Sequence, residues 1–146
     1  MPTVNKSVTV PYSASQMYDL VNQVEAYPTF IPACRQVDVL SKNDDEIRAR
    51  LHFAASGFQK AFTTCNRLQP DKMIEIRLVD GPFRQLEGFW RFEALTEQSC
   101  KISLDLEFEF SNRLLATLVG PVFSQITYSL VDAFSKQAEK VYGHPG

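Results

Sequence analysis

The chain has 146 residues, a formal net charge of −2, 45% apolar side chains, eleven Phe and three Cys. This length supports one ordinary domain whose core needs neither disulfides nor metal, and the apolar fraction excludes a disordered chain. The weak acidic balance argues against a general nucleic-acid binder, which carries a basic footprint, and no stretch reads as the roughly 18 consecutive apolar residues of a membrane span.

Thr3 to Pro11 alternates, with Val4, Val8 and Val10 on one side and Thr3, Asn5, Ser7 and Thr9 on the other, which predicts a half-buried strand. Ser13 followed by Gln16 is a capping-box pattern, and Met17, Leu20, Val21 and Val24 then recur at helical spacing. Pro28 and Pro32 bracket a segment, Tyr27 to Ile31, that is too short for more than a turn or two of helix. The opening residues do not resemble a signal peptide, and three widely spaced cysteines (Cys34, Cys65, Cys100) read as reduced thiols. Both features place the expected location in the cytoplasm.

From Ala33 to Phe110 the pattern is strand after strand. Val37 and Val39 share a face, and Asn43-Asp44-Asp45 supplies a turn. Ile47, Ala49, Leu51, Phe53 and Ala55 alternate with Glu46, Arg48, Arg50 and His52. Turns are predicted at Ser56-Gly57, Gln69-Pro70-Asp71 and Asp80-Gly81-Pro82. Leu86, Gly88, Trp90, Phe92 and Ala94 form one inward row; Ile102, Leu104, Leu106, Phe108 and Phe110 form the last. Ser111 or Asn112 can cap a final helix that ends near Tyr142, with Gly143 as a stop. Leu115, Leu118, Val122, Ile126, Leu130, Phe134 and Val141 mark its broad apolar side, and Gly120-Pro121 is expected to kink or break it. The fold class is therefore α+β: an antiparallel sheet of about seven strands, apolar on one face, curved around a long C-terminal helix in one domain over residues 1–146.

A curved sheet gripping a helix leaves space unless large side chains fill it. Gly88 marks a bend or a close approach within its row. Tyr27, Phe30, Ile31, Pro82 and Phe83 lie in loops that would ring one end, as a gate. Trp90, Phe92, Phe108 and Phe123 read first as core and only second as ligand contacts.

Four blocks carry a family likeness: Val10 to Met17; Tyr27-Pro28-x-Phe30-Ile31-Pro32-x-Cys34; Val79-Asp80-Gly81-Pro82-Phe83-Arg84-x-Leu86-Glu87-Gly88-x-Trp90; and Phe108 to Leu115 running on to Gly120-Pro121-Val122-Phe123. In this order and spacing the chain resembles the coenzyme Q-binding START-like family of the polyketide cyclase superfamily, whose bacterial members are also called ribosome association toxin RatA. The resemblance implies a helix-grip fold with a hydrophobic tunnel for ubiquinone or a related isoprenoid lipid, and a role supporting respiratory electron transfer. Thr64 and Asn66 stand where more apolar residues are expected, as a polar spot in the tunnel or a local departure.

Chemistry is sparse. His52 is on the solvent side by alternation and His144 lies in the tail, so a histidine triad or metal pair has little support. No phosphate loop, Cys-x-x-Cys or nucleophile elbow occurs. Asp80 and Glu87 flank the Pro82 loop with Arg84 between them, either as an ion pair shaping the loop or as contacts for a polar head.

Three functions compete. The first is a non-enzymatic lipid binder in which Leu86, Trp90, Phe92, Leu104, Leu106, Phe108, Leu118, Val122, Phe123 and Ile126 line the tunnel and Arg84 supplies a polar contact at its mouth. It requires no cofactor beyond the bound quinone, and it allows peripheral contact with the inner membrane. The second is a protein that binds the large ribosomal subunit and blocks subunit association, with Arg48, Arg50 and Lys60 as a small basic patch. The third, a cyclase-like enzyme, needs a titratable group inside the pocket, and alternation places almost none there.

Overall fold

A computed structural model of the chain describes residues 3–55 and 57–143, apart from the side chain of Ala55. Ser56 of the turn expected there, and His144, lie outside the described residues.

The elements are β1 (Thr3–Val10), α1 (Ala14–Asn22), a 3-10 helix (Val24–Thr29), β2 (Cys34–Lys42), β3 (Glu46–Ala55), β4 (Phe58–Gln69), β5 (Met73–Asp80), β6 (Phe83–Thr96), β7 (Ser99–Phe110) and α2 (Arg113–Tyr142). The seven strands form one sheet in the order β1-β7-β6-β5-β4-β3-β2, and every pairing is antiparallel. Strands β2 to β7 form a meander. The connection through α1 and the 3-10 helix carries the chain from one edge of the sheet, β1, to the other, β2.

Local chemistry sets these boundaries. Ser13 Oγ accepts from the Gln16 backbone N–H at 3.1 Å while Gln16 Oε1 accepts from the Ser13 N–H at 2.9 Å, so the capping box opens α1. Asn43 Oδ1 accepts from the N–H groups of Asp45 and Glu46, closing the turn between β2 and β3. Asn112 Oδ1 accepts from the Leu115 N–H at 2.7 Å and caps α2. At the other end Gly143 adopts φ 75° and donates to the Glu139 carbonyl.

Register shifts curve the sheet. They fall between β2 and β3, β4 and β5, and β6 and β7. At Gly88 β7 leaves no room for a side chain: a Cβ there would lie 2.0 Å from the Asp105 carbonyl oxygen.

α2 runs on through Gly120-Pro121 as one helix, so the chain does not break there. Pro121 withdraws one N–H from the Thr117 carbonyl, but both residues are exposed, so water can serve that oxygen. The helix is also long and apolar enough to cross a membrane by length and composition, which the sequence reading did not anticipate. Part of that apolarity belongs to a stripe packed inside the fold, at Leu115, Val119, Phe123, Thr127, Val131, Phe134 and Ala138, while Leu114, Leu118 and Val141 stay exposed. Its end is tied to the N-terminal segment, where Tyr12 Oη donates to the Gly143 carbonyl at 2.7 Å and Tyr142 Oη to the Gln16 carbonyl at 3.0 Å.

Candidate functional site

Between the concave face of the sheet and α2 lies a partly open cavity of about 150 Å3. Its helix wall is Val119, Val122, Phe123, Ile126, Thr127, Leu130 and Phe134. Its sheet wall takes Ala49, Leu51 and Phe53 from β3, Phe62, Thr64 and Asn66 from β4, Ile76 from β5, Leu86 and Trp90 from β6, and Leu106 from β7. Val21, Val24, Tyr27, Ile31, Pro32, Ala33 and Cys34 complete it from the segment crossing between the sheet edges, and His52 reaches its rim. Pro32 is exposed and Ala33 and Cys34 are half-buried, which marks this side as the mouth.

Two aromatic clusters bound the space. At one end the Phe123 ring meets those of Phe53, Phe62, Phe83, Phe108 and Phe110, with centroids 4.8 to 6.1 Å apart. At the other, Phe134 meets Tyr27, Phe30 and Trp90 at 5.2 to 5.4 Å. Between them Ile126, Thr127 and Leu130 line the cavity from the helix.

Electrostatically the wall is neutral. Among the described residues no Asp, Glu, Lys or Arg lines it. Tyr27 Oη donates to the Val21 carbonyl, and burial pushes its phenol pKa up. Burial likewise raises the Cys34 thiol. Both groups therefore stay protonated. At the rim, His52 Nε2 lies 2.8 Å from Asp38 Oδ2. The Gln36 amide, and then His52, hold the Asp38 carboxyl below its ordinary range. Among the described residues no cluster of His, Cys, Asp and Glu suits a metal ion.

The expected ligand contacts divide. Leu86, Trp90, Leu106, Val122, Phe123 and Ile126 are on the wall, as are Tyr27 and Ile31 of the expected gate. Phe92, Leu104 and Phe108 are not. Phe92 packs edge-on against Tyr18 of α1 at 5.6 Å, Leu104 is sealed in the core, and Phe108 lies behind Phe123. Leu118 is 41% exposed, because α2 is rotated to put Val119 inward. Phe30 backs Tyr27 and Phe134 rather than lining the cavity. Phe83 is buried, stacked on Phe110 at 4.7 Å, and Pro82 accepts from the Ser111 N–H, so this loop closes the Phe123 end instead of gating it.

Arg84 stands 70% exposed beside Glu109 at 3.8 Å, not with Asp80 or Glu87 and not at the cavity. Lys60 pairs in register with inward-facing Phe53, whereas Arg48 and Arg50 pair with Cys65 and Thr63, so the three cations do not share a face. The lining residues that were not foreseen come from β3 to β5, from the crossing segment and from α2. Alternation already marked Ala49, Leu51 and Phe53 as inward, but not that this half of the sheet carries the wall.

A profile of polyketide cyclase / dehydrase and lipid transport proteins matches residues 10–135. The chain belongs to that family. Within it, the chain is 40% identical over 142 residues to a protein of Escherichia coli named ribosome association toxin RatA, covering 97% of this chain and 90% of that one. It is 29% identical over 143 residues to a mitochondrial coenzyme Q-binding protein, COQ10 homolog B, of Xenopus laevis, covering 95% of this chain and 59% of that one. The fold is shared with the Zhui aromatase/cyclase of a Streptomyces species, with a TM-score of 0.83 at 19% identity over 94% of this chain and 93% of that one. The START-like helix-grip architecture expected from the sequence is the architecture found.

Proposed function

We propose that this chain binds an apolar small molecule, ubiquinone or a related isoprenoid lipid, without transforming it, and so supports respiratory electron transfer. The observation that carries this reading is the cavity between α2 and the sheet, whose wall holds no Asp, Glu, Lys or Arg among the described residues. An enzyme of the cyclase kind needs a poised acid or base at the ligand. Here the wall phenol and thiol are both held protonated by burial, and His52 stands at the rim with its Nε2 2.8 Å from Asp38 Oδ2. A cavity of about 150 Å3 suits a single ring, since a cavity of that size elsewhere takes up benzene. An isoprenoid tail then leaves through the mouth at Pro32, where a peripheral contact with a membrane would receive it. The coenzyme Q-binding name of the Xenopus relative supports the same ligand class.

The test is to purify the protein, extract it with organic solvent and search the extract for a quinone by mass spectrometry, then repeat after adding quinone. Recovery of quinone in either arm supports the reading. A protein that emerges empty and takes up none contradicts it.

A second reading has its own support in the RatA name of relatives near 40% identity: association with the large ribosomal subunit. Exposed Arg48 and Arg50 on the convex face would contribute to RNA contact. Co-sedimentation with ribosomal subunits at low salt, weakening as salt rises, is its expected signature; absence at low salt removes it.

A further inference from the structure

We infer that Thr64 and Asn66 form a polar anchor inside the cavity that selects ligands carrying a carbonyl or similar acceptor oxygen. This deepens the cavity-ligand reading above and rests on it.

Both residues are on β4 and both line the cavity. In register Thr64 pairs with Ala49 and Asn66 with Ile47 and Ile76, so their neighbours on the inner face are apolar. The Thr64 hydroxyl donates to Asn66 Oδ1 at 3.2 Å. That bond uses the oxygen end of the amide and fixes its orientation. Asn66 Nδ2 has no protein acceptor among the described residues, which leaves its two N–H donors free for a ligand on this lining. On the helix wall Thr127 gives its proton to the Phe123 and Ser124 carbonyls, so it offers a ligand only lone pairs. Tyr27 is likewise committed, to Val21. Apart from His52 at the rim, the Asn66 amide is thus the strong side-chain donor that the described wall presents to a ligand.

An amide donor in apolar surroundings discriminates sharply. A ligand oxygen that meets it gains a hydrogen bond little diluted by water, while a pure hydrocarbon strands the amide. The position also fits the shape of the site. With aromatic rings at both ends, a ligand ring seated between Phe123 and Phe134 presents its edge substituents to the sheet wall, where Asn66 waits.

The experiment measures affinity for two probes, decylubiquinone and decylbenzene, delivered from cyclodextrin and read by isothermal titration calorimetry. Asn66→Leu removes the donor at similar volume, Asn66→Asp replaces it with an acceptor, and Thr64→Val removes the hydroxyl that orients it. The expected result is a loss of decylubiquinone affinity of about tenfold in either Asn66 variant, the scale of one buried hydrogen bond, with a smaller loss in Thr64→Val. Decylbenzene affinity holds or rises in Asn66→Leu and Thr64→Val. An unchanged ratio of the two affinities in the variants that fold overturns the inference while leaving the cavity reading intact. Failure of the unaltered chain to bind either probe overturns both.

Discussion

Phe123 and Phe134 lie on the same face of α2, three turns or about 16 Å apart, and each anchors an aromatic cluster that bounds one end of the cavity. Ile126 occupies the span between them. Ile126→Phe therefore projects a third ring into the open space. Decylubiquinone binding, followed by quenching of Trp90, the only tryptophan of the chain, is expected to fall by at least about tenfold while the thermal midpoint holds or rises. Unchanged binding would place the ligand elsewhere.

Gly88 and Ala33 make a contrasting pair. A Cβ at Gly88 would lie 2.0 Å from the Asp105 oxygen and 2.8 Å from the Leu106 Cα, and neither backbone atom can rotate away. Gly88→Ala is expected to cost about 3 kcal/mol or more, or to prevent folding, as read by urea denaturation. Ala33, at the cavity mouth, has φ 66° and carries a Cβ in the left-handed region. Ala33→Gly relieves about 1 kcal/mol of strain, so it is expected to hold or raise stability despite the added chain entropy.

Asn112 is the side-chain cap of the long helix. Asn112→Ala strands the Leu115 N–H at the start of α2 and is expected to lower stability by about 1 kcal/mol, with Asn112→Ser recovering most of it. Equal midpoints for all three proteins in urea would show that the cap contributes nothing.

Cys100 is sealed in the core, and burial raises its thiol from the ordinary 9.0 to about 11. The folded state therefore keeps this proton at pH values where the unfolded chain releases it. The associated stability is fully present below pH 9 and is lost as pH rises from about 9 to about 11. Cys100→Ala is expected to show a shallower decline in stability over that window, on top of its own cavity cost. In the intact protein at pH 8, Cys100 is expected to resist a thiol reagent until denaturant is added.

Most of the sheet was legible because alternation is a local signal. β7, with Ile102, Leu104, Leu106, Phe108 and Phe110 inward, follows from period two alone, and all five are buried. The face of α2 was less legible. Its first half carries Leu114, Leu115, Leu118, Val119, Val122 and Phe123, apolar most of the way round, so spacing cannot choose between Leu118 and Val119. The tertiary packing chooses Val119, leaving Leu114 and Leu118 exposed. The cavity itself was illegible for a related reason. An inward side chain and a cavity-lining side chain obey the same periodicity, so alternation along β7 cannot tell cavity-lining Leu106 from core Leu104. Thr64 and Asn66 were the exception: polar residues in an inward row announced themselves, and the structure resolves them as part of the wall.

The most direct test is a nuclear magnetic resonance titration of methyl-labelled protein with decylubiquinone. Binding in the space between α2 and the sheet should shift the methyl signals of Val119, Ile126, Leu130 and Leu106 and leave those of surface-exposed Leu40 and Leu95 in place. Saturable binding that moves the surface methyls and spares Val119 and Ile126, or no shift at any attainable concentration, would contradict a ligand-binding interior.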